Sequence, residues 1–549
     1  MPGNIEHSLA GLLPSLQAAA STLESRTLTD LLDADPARAE RYALAVDGVY
    51  LNYARQRIDD HGLQALFTLA AAVDLPACFD ALFSGQSVNG SEARPALHTL
   101  MRADASDPPV WRNGVNLLDA VLETRSRLRD LVRAFERGAL RGARGKTLIN
   151  VVNLGVGGSD LGAVMLTEAL AHCCSRRSPP HFVSGMDGTQ LADTLAGIDP
   201  DRTLFLVSSK SFTTPDTMGN AAVLKAWLER HVGVDAIARQ VIGISGNTEA
   251  MQAFGIAPEY RFPVPEWVGG RYSVSSAVGL PAALMLGWDG FAQFLAGMRR
   301  MDQHAREAPP ERNLPIIMGL LAVWQRNVLG CHAHAVLPYS HRLARFPAFL
   351  QQLDMESNGK SVCQSGAPVG VDTAPVLFGE FGGNAQHSFM QALHQGTAAV
   401  SVDVILCAEP AGGSAEQHAL TLANGLAQAQ VLAAGRSASA LTNSMAPLDP
   451  ASRDALLPHR LQAGNRSSNT LVLERLDPFH LGMLVALYEH RTYVQACLWG
   501  INAFDQWGVE LGKQVAGRLT DAVAGREPPP PDADPVSRVL LARLRGDKT

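Results

Sequence analysis

The chain has 549 residues, of which 46% are hydrophobic and 18% charged, with 49 glycines. This length exceeds what one hydrophobic core usually supports, so we expect at least two domains, and the composition is that of a globular enzyme rather than a fibrous, disordered or membrane protein. The 46 lysines and arginines against 53 aspartates and glutamates give a formal charge of -7. That balance provides no general electrostatic reason for binding nucleic acid, whereas a small anionic substrate needs only a local positive site.

The sequence also lacks the usual signals for a membrane or an export route. No uninterrupted apolar run reaches the roughly 18 residues that a membrane-spanning helix needs, and no basic residue of a secretory signal precedes Arg26. The seven cysteines are scattered without a CxxC pair, and an odd number cannot all pair within one chain. We therefore expect reduced thiols, no membrane partner and a cytoplasmic location.

The pattern of apolar residues in the sequence changes near Thr147. Residues 1 to about 145 show mainly helical patterns, such as the amphipathic stretch from Leu117 to Phe135. From Thr147 onward, short runs rich in Val, Ile and Leu are each followed by a Gly or Ser/Thr turn and then by a longer helical pattern. This alternation predicts α/β architecture, with parallel sheets covered by helices.

Two series of strands are expected, and they indicate two doubly wound α/β units. The first series is Thr147–Leu154, Thr203–Val207 and Gln240–Ser245, and the second is Ala333–Leu337, Val376–Gly379, Val400–Leu406 and Thr470–Leu473. Near the C-terminus, Pro528 to Pro531 cannot continue a helix and predict an extended connection. The following stretch, Val536 to Arg545, is expected to be a helical arm.

A candidate phosphate site follows the strand that ends at Val207. Residues 208 to 216 place several hydroxyls around Lys210 immediately before a predicted helix that starts near Pro215. Unpaired amides at a helix N-terminus attract a dianion, and the hydroxyls of Ser209, Ser211 and Thr214 add hydrogen-bond donors. The alternative is an ordinary capped helix with a surface lysine.

A second turn between a strand and a helix is rich in glycine. Residues 155 to 162 are able to bring backbone amides close to a polar ligand. The turn is not a dinucleotide fingerprint, because Asp160 stands where a third glycine is needed, and it has no Walker lysine. A purely structural tight turn is the alternative.

Glu356 is a candidate general base. It lies near the predicted end of a helix that Asn358 and Gly359 terminate, a position from which a carboxylate can face a cleft. An aldose–ketose isomerisation needs one base that removes a proton beside a carbonyl and returns it to the neighbouring carbon. Taken alone, a glutamate near a helix end is more often a solvated charge.

Three further residues suit the same chemistry. His387 and Lys513 can exchange protons with sugar oxygens during ring opening, and imidazole titrates near neutral pH. Arg271, in the turn of residues 267 to 273, is a permanent cation suited to a developing enediolate oxygen. A lone arginine is otherwise most often a salt-bridge partner.

A metal site is a weaker hypothesis. His332 and His334 can share one face of a strand beside Cys331, but no acidic or Cys/His cluster completes the set. Core or surface histidines are the preferred interpretation, so no metal is expected.

Taken together and in order, these motifs resemble the glucose-6-phosphate isomerase family. The resemblance runs from Val88-Asn89 and Leu97-His98-Thr99 through the two strand-end turns to residues 269–273, 351–360, 379–396 and 481–513. It closes on Phe504-Asp505-Gln506-Trp507-Gly508-Val509-Glu510-Leu511-Gly512-Lys513. The resemblance implies interconversion of glucose 6-phosphate and fructose 6-phosphate by ring opening and a cis-enediol intermediate, without a cofactor.

The resemblance also implies a role for each matching residue. Glu356 would be the enediol base, Arg271 would stabilise the enediolate, and Lys513 would assist at the ring oxygen. His387 would act in ring opening, reaching the site of the other subunit. The residues implied in substrate or phosphate binding are Gly158, Ser159, Ser209, Lys210, Ser211, Thr214, Gln352 and Gln506.

The family further implies two SIS-type αβα sandwich domains, a homodimer and an active site shared between subunits. We divide the chain into a mainly helical N-terminal region (1–120), a first SIS domain with the phosphate loop (121–290), a second with Glu356 and His387 (291–515) and a C-terminal arm (516–549).

The sequence shows three departures from the usual family pattern. Ser211 replaces a threonine, Asp216 replaces a common glutamate, and residues 382 to 385 read Gly-Gly-Asn-Ala instead of Gly-Thr-Asn-Gly. The first retains its hydroxyl, whereas the others affect the fine positioning around His387 more than the type of reaction.

Three rival interpretations remain. A catalytically inactive SIS-domain sensor of sugar phosphates needs the phosphate loop but has no evident use for the proton-transfer residues. A glucosamine-6-phosphate synthase requires an N-terminal cysteine nucleophile, and here the first cysteine is Cys78. A separate extracellular signalling role is neither supported nor excluded by the sequence.

Overall fold

The structure is a computed structural model that describes residues 5–174 and 178–546. Residues up to Ala503 form one compact unit and those from Phe504 onward a second. The strands, in chain order, are β1 (Ala43–Val46), β2 (Val49–Asn52), β3 (Trp111–Arg112), β4 (Val115–Asn116), β5 (Asn150–Leu154), β6 (His181–Val183), β7 (Thr203–Ser208), β8 (Val241–Ile244), β9 (Arg261–Phe262), β10 (Ala333–Pro338), β11 (Val376–Gly379), β12 (Val400–Cys407) and β13 (Ser468–Leu473).

The first unit contains two large sheets. One has five parallel strands in the order β6-β5-β7-β8-β9. The other has six strands in the order β1-β2-β13-β12-β10-β11, of which β10 to β13 are parallel to one another. The predicted α/β fold with two parallel-rich sheets is therefore confirmed, and each expected strand is present within a few residues of its expected bounds.

The N-terminal hairpin of β1 and β2 is an addition that the sequence interpretation missed. Strand β2 pairs antiparallel with β13 and extends the second sheet, so the largely helical N-terminal region also contributes strands. Asp47 and Gly48 form the turn, both with positive φ (42° and 82°). An Asp-Gly pair between alternating apolar residues is a hairpin signal that was present in the sequence.

Helices cover both sheets and fill the connections. Before the first sheet lie α1 (Ile5–Ser21), α2 (Leu28–Ala34), α3 (Arg38–Arg41), α4 (Asp60–Val73), α5 (Leu75–Phe83) and α6 (Leu117–Glu136). Associated with the first sheet are α7 (Leu161–Leu170), α8 (Thr189–Ala196), α9 (Pro215–His231), α10 (Ala236–Gln240) and α11 (Thr248–Phe254). Then follow α12 (Leu280–Leu286), α13 (Trp288–Glu307), α14 (Leu314–Val323), α15 (Phe346–Leu350), α16 (Gly382–Ala385), α17 (Met390–Gln395), α18 (Ala415–Ala434), α19 (Ala438–Ser444), α20 (Pro450–Arg460) and α21 (Pro478–Trp499).

The central helix α21 is buried along almost its entire length and packs closely against α13. Two glycines allow this approach: a Cβ on Gly297 would lie 1.9 Å from the Phe479 carbonyl oxygen, and one on Gly482 would lie 2.1 Å from the Phe294 carbonyl oxygen. Any side chain at either position would push the helices apart.

In the described part of the chain, no single helix is long and apolar enough to cross a bilayer; α4 and α5, joined with a bend of 46°, have that length and apolar character only together.

The second unit is helical. A short 3₁₀ turn, Trp507–Val509, leads into α22 (Glu510–Val523), and α23 (Pro535–Arg545) follows a proline-rich connection. Asp534 caps α23 by accepting hydrogen bonds from the amides of Val536 and Ser537. The predicted helix near the C-terminus is confirmed, and it starts at a proline, as is common for a first helical residue.

Candidate active site

Two of the predicted ligand-binding turns lie at the same edge of the first sheet. Strands β5 and β7 are parallel neighbours, and the glycine-rich turn follows β5 while the hydroxyl-rich turn follows β7. Because the carboxyl ends of parallel strands meet at one edge, these turns are neighbours in space. This edge is the usual ligand site of an open α/β sheet.

The glycine-rich turn packs directly on the turn that carries Arg271. A Cβ on Gly158 would lie 2.2 Å from the Gly270 carbonyl carbon, so glycine is needed for the two backbones to touch. The Ser273 hydroxyl donates to the Gly158 carbonyl at 3.3 Å. Ser159 is half-buried beside it. The close approach connects the first sheet to Arg271.

The hydroxyl-rich turn has the form expected of an anion site. The hydroxyls of Ser209 and Thr214 are 3.1 Å apart, and those of Ser211 and Thr213 are 2.7 Å apart. Helix α9 begins at Pro215, and the Thr214 side chain makes no capping hydrogen bond to its amides. The amides at the start of α9 therefore remain as donors for an anion.

Phe212 shapes this turn. Its backbone has a φ of 55°, an uncommon left-handed conformation for a bulky residue, and its side chain is buried. The ring packs edge-on against Phe254 at 5.9 Å between centroids. Packing of the Phe212 ring thus stabilises a strained backbone conformation. Such strain is often found at functional sites.

Lys210 is held inside the same turn. Its ammonium donates to the Glu266 carbonyl at 3.0 Å. Burial, assisted by the nearby Arg94 cation, lowers the pKa of Lys210 to about 8. An anion bound at this turn would restore the preference for the charged form.

Glu356 and Arg271 form an ion pair next to the glycine-rich turn. Arg271 Nη1 lies 3.4 Å from Glu356 Oε2, and the two side chains are 1% and 22% exposed, respectively. The carboxylate is thus reachable from solvent, while the cation that faces it is fixed inside the protein.

A distorted helical segment presents Glu356. Helix α15 continues into a π-helical turn, Gln351–Glu356, of the kind that is frequent at functional sites. Gln352 lies in the same turn, and its Nε2 would be 3.2 Å from a Cβ placed on Gly157. Gln352 therefore lies beside the glycine-rich turn, as the predicted binding role requires.

His387 is placed differently from the residues above. It follows the short helix α16, its side chain is exposed, and its backbone amide donates to the Asn384 carbonyl at 2.8 Å. Within residues 5–174 and 178–546, the imidazole makes no side-chain hydrogen bond. Of the altered residues before it, Ala385 is buried in the core cluster of the second sheet.

Gln506 and Lys513 belong to the second unit. Gln506 immediately precedes the 3₁₀ turn, and Lys513 is on α22, where its Nζ lies 3.0 Å from Glu510 Oε1. Their proposed contacts with substrate stay a prediction.

Two neighbours of Arg271, namely Ser357 and Tyr272, were not predicted from the sequence as site residues. The Ser357 hydroxyl accepts from Arg271 Nε at 2.6 Å and lies 2.9 Å from the Tyr272 hydroxyl. Both residues stand inside motifs that were recognised, adjacent to Glu356 and Arg271, but neither residue type signals such a role by itself.

His332, exposed just before β10, and His334, buried on that strand, fit the interpretation as surface and core histidines. His334 is buried, with Nδ1 2.8 Å from Ser401 Oγ and Nε2 3.0 Å from Asp403 Oδ2. His332 Nδ1 lies 2.8 Å from Arg326 Nη1. The described residues include no group of three or more His, Cys, Asp or Glu side chains arranged to hold a metal ion.

Comparison with known proteins places the chain in a family. The sequence model of the family described as phosphoglucose isomerase matches residues 52–529. The chain is 44% identical to a glucose-6-phosphate isomerase of Frankia casuarinae over 530 residues, which cover 94% of each chain. It is also 44% identical to one of Deinococcus deserti, with 97% of each chain covered.

The fold is similar as well. A crystal structure of a glucose-6-phosphate isomerase from Chlamydia trachomatis superposes with a TM-score of 0.83 at 31% identity, covering 98% of this chain and 99% of that one. The family match spans all five strands of the first sheet, the four parallel strands of the second and both strand-end turns described above. This chain therefore belongs to the phosphoglucose isomerase family.

Proposed function

We propose that this chain is a glucose-6-phosphate isomerase that interconverts D-glucose 6-phosphate and D-fructose 6-phosphate. The observation that carries the proposal is the Arg271–Glu356 pair, placed beside two anion-suited turns in a member of this family. A base and a fixed cation at one point match the two demands of an enediol intermediate, namely proton transfer and charge stabilisation.

In this mechanism the open-chain sugar presents its C1–C2 segment to Glu356. The carboxylate takes the proton from C2 of the aldose and returns it to C1, while a second proton passes from the C2 hydroxyl to the C1 oxygen; together the two transfers convert the aldose into the ketose. Arg271 Nη1 faces the same carboxylate, so its positive charge is close to the oxygen that becomes an enediolate. The reverse reaction uses the same groups.

Binding of its phosphate group would hold the substrate in a fixed position in the site. In our proposal Ser209, Lys210, Ser211 and Thr214 bind it with the first amides of α9, and Gly158, Ser159, Gln352 and Gln506 contact the sugar or complete the pocket. Lys513 and His387 exchange the protons of ring opening.

We further propose a cytoplasmic homodimer in which each subunit supplies His387 to its partner's site. Exposure of His387 supports this, because a ring-opening acid or base needs to meet the substrate. Apolar side chains of α22 and α23 such as Leu511 and Leu544 are also exposed in the single chain. Sedimentation at micromolar concentration tests the assembly, and cell fractionation tests the location.

The test of function is a coupled assay with the chelated, metal-depleted protein. Fructose 6-phosphate is supplied, and glucose 6-phosphate is followed by a dehydrogenase that reduces a nicotinamide coenzyme. We expect robust turnover. Saturable binding of fructose 6-phosphate without turnover would instead favour the inactive-sensor alternative.

The pKa of Lys210 predicts a pH dependence of substrate affinity. Lys210 is charged below about pH 8 and loses its charge above it, whereas the sugar phosphate remains a dianion. We expect KM to rise roughly 5-fold between pH 7 and 9.5, as one partly screened charge pair is lost. Lys210→Arg, which stays charged, is the matched control and is expected to show a flat KM. An equal rise in both proteins would contradict the assignment.

A further inference from the structure

A buried hydroxyl links the two central residues of the site. Ser357 immediately follows Glu356 and is fully buried. Its Oγ accepts a hydrogen bond from Arg271 Nε at 2.6 Å and lies 2.9 Å from the Tyr272 hydroxyl. One side chain thus ties the end of the π-helical turn to the 3₁₀ turn Gly270–Tyr272.

Tyr272 is a rigid partner for this hydroxyl. Its ring is buried and lies 4.6 Å from the His98 ring between centroids. Burial raises the pKa of Tyr272 to about 12, so the phenol keeps its proton at the pH of the assay. Tyr272 can therefore donate to Ser357 Oγ while the same oxygen accepts from Arg271.

The contacts of Arg271 set the direction of its planar guanidinium group. Nε is held by Ser357, and Nη2 donates to the Ala503 carbonyl at 2.7 Å. Nη1 is the atom that lies 3.4 Å from Glu356 Oε2. Because the group is flat, two anchors on one side determine where the third nitrogen points.

We propose that Ser357 is a positioning residue for the isomerisation. It holds the Arg271 guanidinium at a fixed distance from Glu356, so that the cation meets the enediolate oxygen as soon as the base has taken its proton. The proposal rests on the proposed function and adds a residue to its machinery that does not itself touch the substrate.

The helix end itself does not depend on this hydroxyl. Lys360 Nζ donates to the Ser357 carbonyl at 2.9 Å and to the Asn502 carbonyl at 2.8 Å. A lysine that satisfies carbonyls at a helix C-terminus stabilises that end independently. Removal of the hydroxyl should therefore release Arg271 more than it displaces Glu356.

The first experiment measures kcat and KM of Ser357→Ala. We expect kcat to fall about 10- to 100-fold, since small displacements at a reacting centre have effects of that size, while KM changes by less than about 3-fold. A hydroxamate analogue of the enediolate should bind more weakly by a similar factor. Sorbitol 6-phosphate, which has no enediolate oxygen, should bind as it does to the unmodified protein.

The matched control is Ser401→Ala on β12. That serine is also buried, and its hydroxyl is paired with a buried imidazole, His334 Nδ1, at 2.8 Å. This control should lower stability but leave kcat of the folded protein unchanged. Unaltered kcat in Ser357→Ala, or equal weakening of both ligands, would overturn the positioning role.

A second variant keeps the proposal testable if Ser357→Ala does not fold. Tyr272→Phe removes only the phenol oxygen, and we expect kcat to fall about 3- to 10-fold with KM preserved. Unchanged kcat in this variant would also overturn the proposal. Failure of the proposed function is a different result, namely an unmodified chain that shows no turnover.

Discussion

Glu356→Gln is expected to lower kcat about 10³-fold or more while substrate binding persists. Glutamine keeps the shape of the side chain but cannot accept the proton from C2. General base catalysis commonly accelerates a reaction about 10²- to 10⁴-fold. The Arg271 cation remains in place, so phosphate binding at the turn after β7 should be preserved. Steady-state kinetics and calorimetric binding of fructose 6-phosphate measure the two effects separately.

Glu409→Gln is the matched control for this substitution. Glu409 is an exposed carboxylate beyond the end of β12 that pairs with Arg475, so the same chemical change there should leave kcat intact. The role of Glu356 is refuted if Glu356→Gln retains more than about a tenth of the activity, since a base with that small a contribution is not the main proton acceptor.

The largest effect on stability is expected from Arg102→Met. Arg102 is fully buried and bonds Asp302 through Nε and Nη2 at 2.7 and 2.6 Å, and Glu489 through Nη1 at 2.5 Å. Asp302 also lies 2.7 Å from His490 Nε2. Loss of the cation leaves two buried carboxyl groups without their charged partner. We expect the free energy of unfolding to fall by about 3–5 kcal/mol.

Urea unfolding followed by tryptophan fluorescence measures this loss. Arg41→Met is the control, because Arg41 also pairs with two carboxylates, Asp35 and Asp60, but at the surface. It should cost less than about 1 kcal/mol. The double variant Arg102→Met/Glu489→Gln should recover part of the stability, since it removes one of the unpaired carboxyl groups. Similar losses in Arg102→Met and Arg41→Met would contradict the burial argument.

Burial also affects Glu489 itself. Desolvation raises its pKa to about 7, against the opposing effect of Arg102. The buried group formed by Arg102, Asp302, Glu489 and His490 joins the 3₁₀ turn His98–Arg102 to helices α13 and α21. It therefore holds together segments nearly 400 positions apart in sequence, as the separation of Arg102 and Glu489 illustrates.

Local pattern was sufficient to predict much of the fold. Strands buried on both faces appear as continuous apolar runs, so β7, β8 and β12 were visible in the sequence. Pro215 marked the start of α9. The hairpin of β1 and β2 was missed despite its Asp47-Gly48 turn signal, because each strand has only four residues and the further sheet partner of β2 is β13, more than 400 positions away.

The binding turns were predictable for the same reason. Residues 155–159 and 208–214 are contiguous in sequence, and each combines a strand end, small residues and a helix start. The roles of Glu356, His387 and Lys513, in contrast, came from the ordered resemblance to a family, because a single carboxylate, imidazole or ammonium group has no local signature.

The α/β class, the two anion-suited turns and the family resemblance follow from the sequence, because each depends on short-range patterns and on their order along the chain. The pairing of Arg271 with Glu356, the contact of Gly158 with Gly270 and the link that Ser357 makes between two turns are visible only in the folded chain. Such contacts depend on how distant segments pack, and side-chain direction at a π-helical turn cannot be inferred from residue type.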